Sequence, residues 1–456
     1  MPEPPDDEPG ARRRDLPANV GRFFAFRVLF NARFYYPVLA VLFVDLGLTI
    51  EQYTLLNVAW AVSIVVFELP LGALGDQVGY KPLVVAAAVV MVVEMSVLAF
   101  FRSDSATLLF AVFLVNRVLS GLAEAAASGA DEALAYDSLV DEGLEDRWPQ
   151  VLGRLGRRTS AAMAAAMIAG GAVYDPALMS RLLGALGMER DLTQQDTVRL
   201  PIYLTLALAV GALLVALRMT EPRASGERGA ATARETLRGL LHAARWVIGT
   251  GYLLALVSFH FLIDSVVRLV LTLASTWFRL LGIAAVWFGV LGAAFSAVGF
   301  FTPPLAERLV RRTTPRVGFG VISLLALLGL AGVGWIESTW GVLAMFVLAV
   351  AMHLLQFLQS HYLNVATPSK RRATVLSFKS LAGNLAYGFA GWAFALALRV
   401  LAAGDPPPSG SDRELELFGR GLSWLPLAFL LAVLPLIAWS SRLPAMRGER
   451  FERPAD

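Results

Sequence analysis

Residues 61–100 read AVSIVVFELPLGALGDQVGYKPLVVAAAVVMVVEMSVLAF, and this stretch decides the fold. A short polar patch, from Asp76 to Lys81, separates two apolar runs. The second run, Pro82–Phe101, is twenty residues long with one ionisable side chain, Glu94. Crossing about 30 Å of hydrocarbon takes about 20 apolar residues at a helical rise of 1.5 Å each. Each run is therefore long enough to cross a membrane. Unbroken apolar runs also exclude a membrane β-barrel, whose strands would be short and alternating.

The rest of the chain repeats the pattern. It is 57% hydrophobic and 16% charged, with a mean hydropathy of +0.61. A soluble domain carries about 25% charged residues. Further spans are predicted at Phe24–Leu46, Glu51–Gly75, Ala106–Asp137, Leu152–Tyr174 and Leu200–Met219. The second half adds Val247–Phe278, Ala284–Ala306, Arg316–Ile336, Thr339–Tyr362, Val375–Leu401 and Gly421–Ser440. The fold class is thus all-α: a polytopic membrane protein of twelve helices in two six-helix bundles. The expected organisation is a disordered tail (1–22), a first bundle (23–220), a linker (221–246), a second bundle (247–441) and a short tail (442–456). Leu237, Leu240, Leu241 and Ala244, flanked by Arg238 and Arg245, suit a linker helix lying in the headgroup layer. A solvated linker is the equal alternative for Pro222–Ala230.

Of the 39 Lys and Arg residues, 27 fall in the tails and connections on the side of the termini and eight on the other side. Arg27, Arg33, Arg117 and Arg268 lie within helices. Positive charge concentrates on the cytoplasmic side, so both termini are expected there. Arg greatly outnumbers Lys and Ala is abundant, pointing to a GC-rich bacterial genome and a plasma membrane. No apolar core and cleavage site of signal-peptide length follow the N-terminal prolines and arginines.

Cysteine is absent, and His242, His260, His353 and His361 form no HExxH-like pair, so no metal or cofactor is expected. The missing GxxxxGK[ST] loop argues against an ATP-driven pump, and no nucleophile–base–metal set suggests an enzyme.

The connection GALGDQVGYK, Gly72 to Lys81, resembles the signature loop of the major facilitator superfamily, G-x-x-x-D-[RK]-x-G-[RK]-[RK]. Gly72, Asp76, Gly79 and Lys81 match; Gln77 and Tyr80 replace basic positions. Gly72 would let helices approach closely and Gly79 would allow a tight turn. Asp76 could accept hydrogen bonds at a helix N-terminus of the other half, near Ala373–Ser377. A degenerate copy, PPLAERLVRR, follows 231 residues later, with Glu307 in the place of Asp76 and then Arg311 and Arg312. RVLSGLAEA resembles the family's Arg-x-x-Gln-Gly motif at Arg117 and Gly121, with Ser120 for Gln. AAMIAGG, ending at Gly170-Gly171, resembles its antiporter motif, but Ala166-Met167 replaces the Gly-Pro step. SGADEALAYDSL and PSKRRATVLSFKSL are similar to segments of bacterial members. The resemblance covers the chain except its tails. It implies two parallel six-helix repeats, a central cavity lined by helices 1, 4, 7 and 10, and transport of the bacterial drug-efflux type.

Charges in mid-membrane cost a few kcal/mol each, so they are functional candidates. His260, Asp264 and Arg268 stand at i, i+4 and i+8 on helix 7. Asn31 and Tyr35 share that spacing with Arg27 on helix 1, with Arg33 beside them. Helix 4 offers Asn116, Arg117 and Glu124; helix 10 offers His353, Gln356 and Ser360. Four polar stripes suit a water-filled cavity; the alternative for each is a structural ion pair. Arg27 could instead snorkel to the membrane surface. Glu124, then Asp264, are the candidate proton carriers, their proton affinity set by burial against a neighbouring cation. Arg33 or Asp264 is the expected partner of Glu124. Glu68 could be a proton site or a hydrogen-bond partner in the gate. Phe34, Tyr35 and Tyr36 suit an apolar or amphipathic solute, or else ordinary packing. The leading reading is proton-coupled efflux of a small organic molecule by a monomer in the lipid bilayer, with no nucleic-acid partner. The alternatives are a metabolite-uptake symporter and a non-transporting receptor or scaffold.

Overall fold

The structure, a computed structural model, describes residues 16–188, 190–223, 233–335, 338–403 and 411–449. The side chains of Asp76, Ala233, Ser369, Lys370, Arg372, Ala373, Ser411, Asp412 and Arg413 also lie outside that description. Among the described residues eleven helices are long and apolar enough to cross a bilayer. Glu145–Tyr174 with Pro176–Ala185, bent by 83°, makes up to twelve. They are called helices 1–12 in chain order. The near face is the one where helix 1 begins and helix 12 ends; the far face is opposite.

The first six are helix 1 (Ala18–Asn31, then Leu39–Asp45), helix 2 (Ile50–Val78) and helix 3 (Tyr80–Phe100), followed by helix 4 (Ala106–Ala127, then Ala130–Val140), helix 5 (Trp148–Tyr174) and helix 6 (Leu200–Arg218). A linker helix, Ala233–Gly249, follows. The second six are helix 7 (Gly251–Thr272, then Ala274–Leu280), helix 8 (Val286–Arg312) and helix 9 (Pro315–Trp335), followed by helix 10 (Val342–Ala366), helix 11 (Ser369–Ala403) and helix 12 (Ser411–Ser440).

Several boundaries differ from the sequence expectation for physical reasons. Helix 1 breaks before Pro37, whose ring cannot donate a backbone hydrogen bond and disfavours helix in the residue before it. Helix 4 breaks at Ser128–Gly129, and helix 7 at Leu273. GALGDQV is the last two turns of helix 2 rather than a loop, and PPLAERLVRR lies wholly inside helix 8. Only Gly79, at φ +92°, makes the turn, a conformation costly for any residue with a Cβ. An amphipathic far-face helix, Pro176–Ala185, capped by the Asp175 carboxylate at Leu178 N (3.0 Å), was not foreseen.

Helix 2 packs along helix 11, and helix 5 along helix 8, so each half contributes two helices to the seam. Glycines permit the second contact: a Cβ on Gly171 would stand 2.8 Å from the Gly289 nitrogen of helix 8. Within the first half, one on Gly170 would stand 1.7 Å from the Phe34 carbonyl oxygen at the break of helix 1. Backbone thus meets backbone, the small-residue packing by which membrane helices associate closely.

Candidate functional site

At the far face the seam is closed by polar contacts between the halves. Asp45, ending helix 1, holds Arg279, ending helix 7, through two hydrogen bonds of 2.5 and 2.7 Å. Tyr174 at the end of helix 5 hydrogen-bonds to the same carboxylate, and Arg279 lies 3.2 Å from its hydroxyl. Asp175 accepts from Val286 N at the start of helix 8 (3.1 Å), and Glu414 of helix 12 accepts from Ile50 N at the start of helix 2 (3.1 Å). Ser275 Oγ lies within 3.3 Å of the amides of Ala40 and Val41 where helix 1 resumes. The sequence reading missed every one of these groups. They sit at helix ends, where a charge looks like an ordinary solvated one.

Below this closure lie two adjoining cavities that share Ser296 and His353. The one toward the far face measures about 350 Å³ and is walled by Tyr36, Phe278, Phe288 and Phe295. The one toward the near face measures about 620 Å³ and is lined by Arg27, Asn31, Glu132, Thr159, Ser160 and Phe300, among others. Both volumes fall in the range that holds a small organic molecule. Helices 5 and 8 supply much of the lining. Helices 1, 4, 7 and 10 each contribute residues as well. Arg27, Asn31, Tyr36 and His353 are the expected residues among the lining; Asn31 also donates to the Arg27 carbonyl (2.9 Å).

Arg117 and the polar residues of helices 7 and 10 gather beside the cavities, toward helices 2 and 11. Asp264 is buried and paired with Arg268, and Gln356 of helix 10 donates to its other oxygen (3.1 Å). Arg268 also reaches Asn384 Oδ1 (3.1 Å) and lies over the Tyr387 ring (5.0 Å). His260 is buried one turn away. Its Nδ1 has no hydrogen-bond partner among the described residues. Lys379, half-buried ten residues into helix 11, stands within electrostatic reach of Asp264 and His260. A charge tally leaves it at the near-face end of that helix, yet a lysine so deep carries the same signal as Arg268.

In the first half, Arg117 donates to Asn57 Oδ1 (2.8 Å) and lies over Trp60 (5.5 Å). Gly121 lets helix 4 press on helix 2, since a Cβ there would meet Trp60 O at 2.9 Å. Tyr53, one turn before Asn57, donates to the Thr272 carbonyl at the break in helix 7 (3.3 Å), and Tyr387 bonds to Thr272 Oγ1 (3.3 Å). Polar groups therefore run from Arg117 across the seam to Arg268.

Two pairings are corrected. Arg33 is partnered by Glu94 (2.9 Å) and Tyr35 (3.1 Å), not by Glu124. With both side chains buried between helices 1, 3 and 4, this explains an acid on a helix expected to be peripheral. Glu124 is half-buried and forms no ion pair among the described residues; Asp264 is taken by Arg268. Arg27 does not snorkel: it grips Asp131 (2.5 Å) and Glu132 (2.9 Å) at the restart of helix 4, where a helix N-terminus favours acids. Glu68 is half-buried in helix 2.

The gate residues are redistributed. Glu307 and Arg311 form an exposed i,i+4 pair on helix 8, and Arg312 is exposed beside them, so among the described residues these three form no ion pair across the seam. The side chain of Asp76 lies outside the described residues. What the signature segment does receive is Glu221, whose carboxylate accepts from Tyr80 N (2.9 Å) and Lys81 N (2.7 Å). Gly72 is exposed with nothing near its Cβ position, whereas a Cβ on Gly79 would strike Glu221 at 2.8 Å.

A family profile described as Major Facilitator Superfamily matches residues 23–391. The chain belongs to the major facilitator superfamily. It is a membrane transporter and not an enzyme. Solved superfamily structures share the fold at low identity. The nucleoside transporter NupG is 11% identical with a TM-score of 0.71, over 93% of this chain and 99% of that one. A bacterial homologue of the human lysosomal transporter Spinster, inward-facing and unoccupied, is 16% identical with a TM-score of 0.68, over 99% and 100%. A D-xylose–proton symporter is 12% identical with a TM-score of 0.68, over 96% and 100%. No curated protein sequence matches the chain.

Proposed function

We propose that this superfamily member exports a small organic solute from a bacterial cytoplasm by alternating access, coupled to proton entry. Its near face is cytoplasmic, as the excess of Lys and Arg there requires, and its two bundles span 23–220 and 247–441. The far-face closure and the near-face cavity then correspond to an inward-open state. The observation that carries this reading is the Asp264–Arg268–Gln356 cluster, which joins helices 7 and 10 beside the cavity. The cluster holds Arg268 where a solute can engage it, and Asp264 is the second candidate proton carrier, since protonating it would free Arg268. Glu124, half-buried without an ion-pair partner among the described residues, is the first proton carrier. Arg117, Arg33 and His260 set the field around it, His353 and Asn31 contact the solute, and Glu68 and Asp76 serve the cytoplasmic gate.

A second reading, uptake by symport, draws support from the similarity to a D-xylose–proton symporter and from the altered helix 5 motif at Ala166-Met167. A solute screen in inside-out vesicles with an imposed pH gradient separates the two. Export predicts accumulation inside such vesicles when their lumen is acidic. Accumulation only with the opposite gradient would replace export by uptake.

A further inference from the structure

The linker helix, Ala233–Gly249, carries two exposed stripes side by side. At 100° per residue, Leu237, Leu241 and Ile248 fall within about 40° of one another, and Arg234, Arg238 and Arg245 within about 40°, with the stripe centres about 60° apart. The leucines and Ile248 are 47, 50 and 62% exposed, and the three arginines are exposed and form no ion pair among the described residues. A third stripe, Leu240, Ala243 and Val247, is buried. It rests on the near-face ends of helices 2 and 11, with Gly239 facing the Thr374 methyl. The helix ends at Gly249 and helix 7, a span by length and composition, begins at Gly251, so its last turn adjoins the start of that span.

We infer that this helix is a binding site for anionic phospholipid of the near-face leaflet. Only a bilayer surface offers hydrocarbon and phosphate next to each other at the depths these stripes demand. The apolar stripe enters the acyl boundary, and the arginine stripe, one step around the helix, meets the phosphates. Charge complementarity selects the lipid: three exposed guanidiniums, without ion-pair partners among the described residues, are presented beside the apolar stripe, and a zwitterionic headgroup returns its own cation to each phosphate. Because the buried stripe presses on helices 2 and 11, the bound lipid is in mechanical contact with the near-face end of the seam.

The test uses the full chain, purified in non-ionic detergent, titrated with phosphatidylglycerol or phosphatidylcholine and read by native mass spectrometry. The wild type should take up its tightest phosphatidylglycerol in preference to phosphatidylcholine, and the preference should shrink with added salt. Arg234→Gln, Arg238→Gln and Arg245→Gln should each weaken it roughly fivefold, and together on the order of a hundredfold. The triple Arg→Lys variant should keep most of it. Leu237→Gln with Leu241→Gln should weaken binding of both lipids. Equal binding of the two lipids by the wild type, or an undiminished preference in the triple Gln variant, would overturn the assignment. The salt response of the wild type decides the matter even if a variant folds poorly.

Discussion

Replacing Arg279 by Gln tests whether the far-face closure sets the resting conformation. The Asp45–Arg279 pair is bidentate, at 2.5 and 2.7 Å, and its side chains are 14 and 27% exposed. Removing one partner of a buried pair costs 3–5 kcal/mol, chiefly because the other charge is stranded; partial exposure lowers this to about 2–3 kcal/mol. The pair joins helix 1 to helix 7 across the seam, so its loss falls on the far-closed state alone. The ratio of far-open to far-closed molecules should rise about 30- to 150-fold, at 1.4 kcal/mol per tenfold. The chain has no cysteine, so spin labels can be placed without background. Gly184→Cys has open space around its Cβ, and Trp340 is 75% exposed on the other half. Labels there, in nanodiscs, should show a longer-distance population that grows in Arg279→Gln and in Asp45→Asn. The exchange Asp45→Arg with Arg279→Asp should restore the short distance. An unchanged distribution in both single variants would refute the idea that this pair holds the closure.

Four further outcomes are expected. In proteoliposomes, Glu124→Gln should keep solute exchange but lose pH-driven accumulation, whereas Asp264→Asn should weaken solute binding; full pH-driven transport by both would move the coupling site to Glu68. A reporter fused after Ala230 should lie in the cytoplasm and one near Gly410 outside, and the reverse at both sites would invert the topology. Gly170→Ala drives a methyl into the Phe34 carbonyl and should destabilise the protein by about 1–3 kcal/mol, visible as a lower melting temperature; an unchanged melt would mean the contact relaxes freely. Glu221→Ala uncaps helix 3 and should cost about 0.5–2 kcal/mol in the same assay; no change would show that water replaces the cap.

The fold was legible because a bilayer imposes it: any span must be long and apolar, and the chain offers such runs in order. The intramembrane charges were legible for the same reason. Arg33, Arg117, Asp264 and Arg268 all proved buried or half-buried and engaged. What they engage was not legible. The spacing along one helix finds His260, Asp264 and Arg268, but the rotation of helix 3 that brings Glu94 to Arg33 depends on packing between helices far apart in sequence. The far-face closure was hidden for a different reason. Asp45, Arg279 and Glu414 lie where spans end, and a charge there is equally at home in water. Glu221 was obscured because its partners are backbone amides, which no side-chain pattern announces.

The backbone contact of Gly170 and Gly171 with Phe34 and Gly289 makes a fulcrum, and its position sets the mechanical advantage. It lies 23 residues from the near-face start of helix 5, an arm of about 35 Å, and three from the far-face end, an arm of about 5 Å. A tilt of about 10° around it would sweep the near-face end through about 6 Å and the far-face end through about 1 Å. The two mouths would then open by different means. The near face can gape by tilting whole helices, whereas the far face must bend the short segments beyond the breaks in helices 1 and 7.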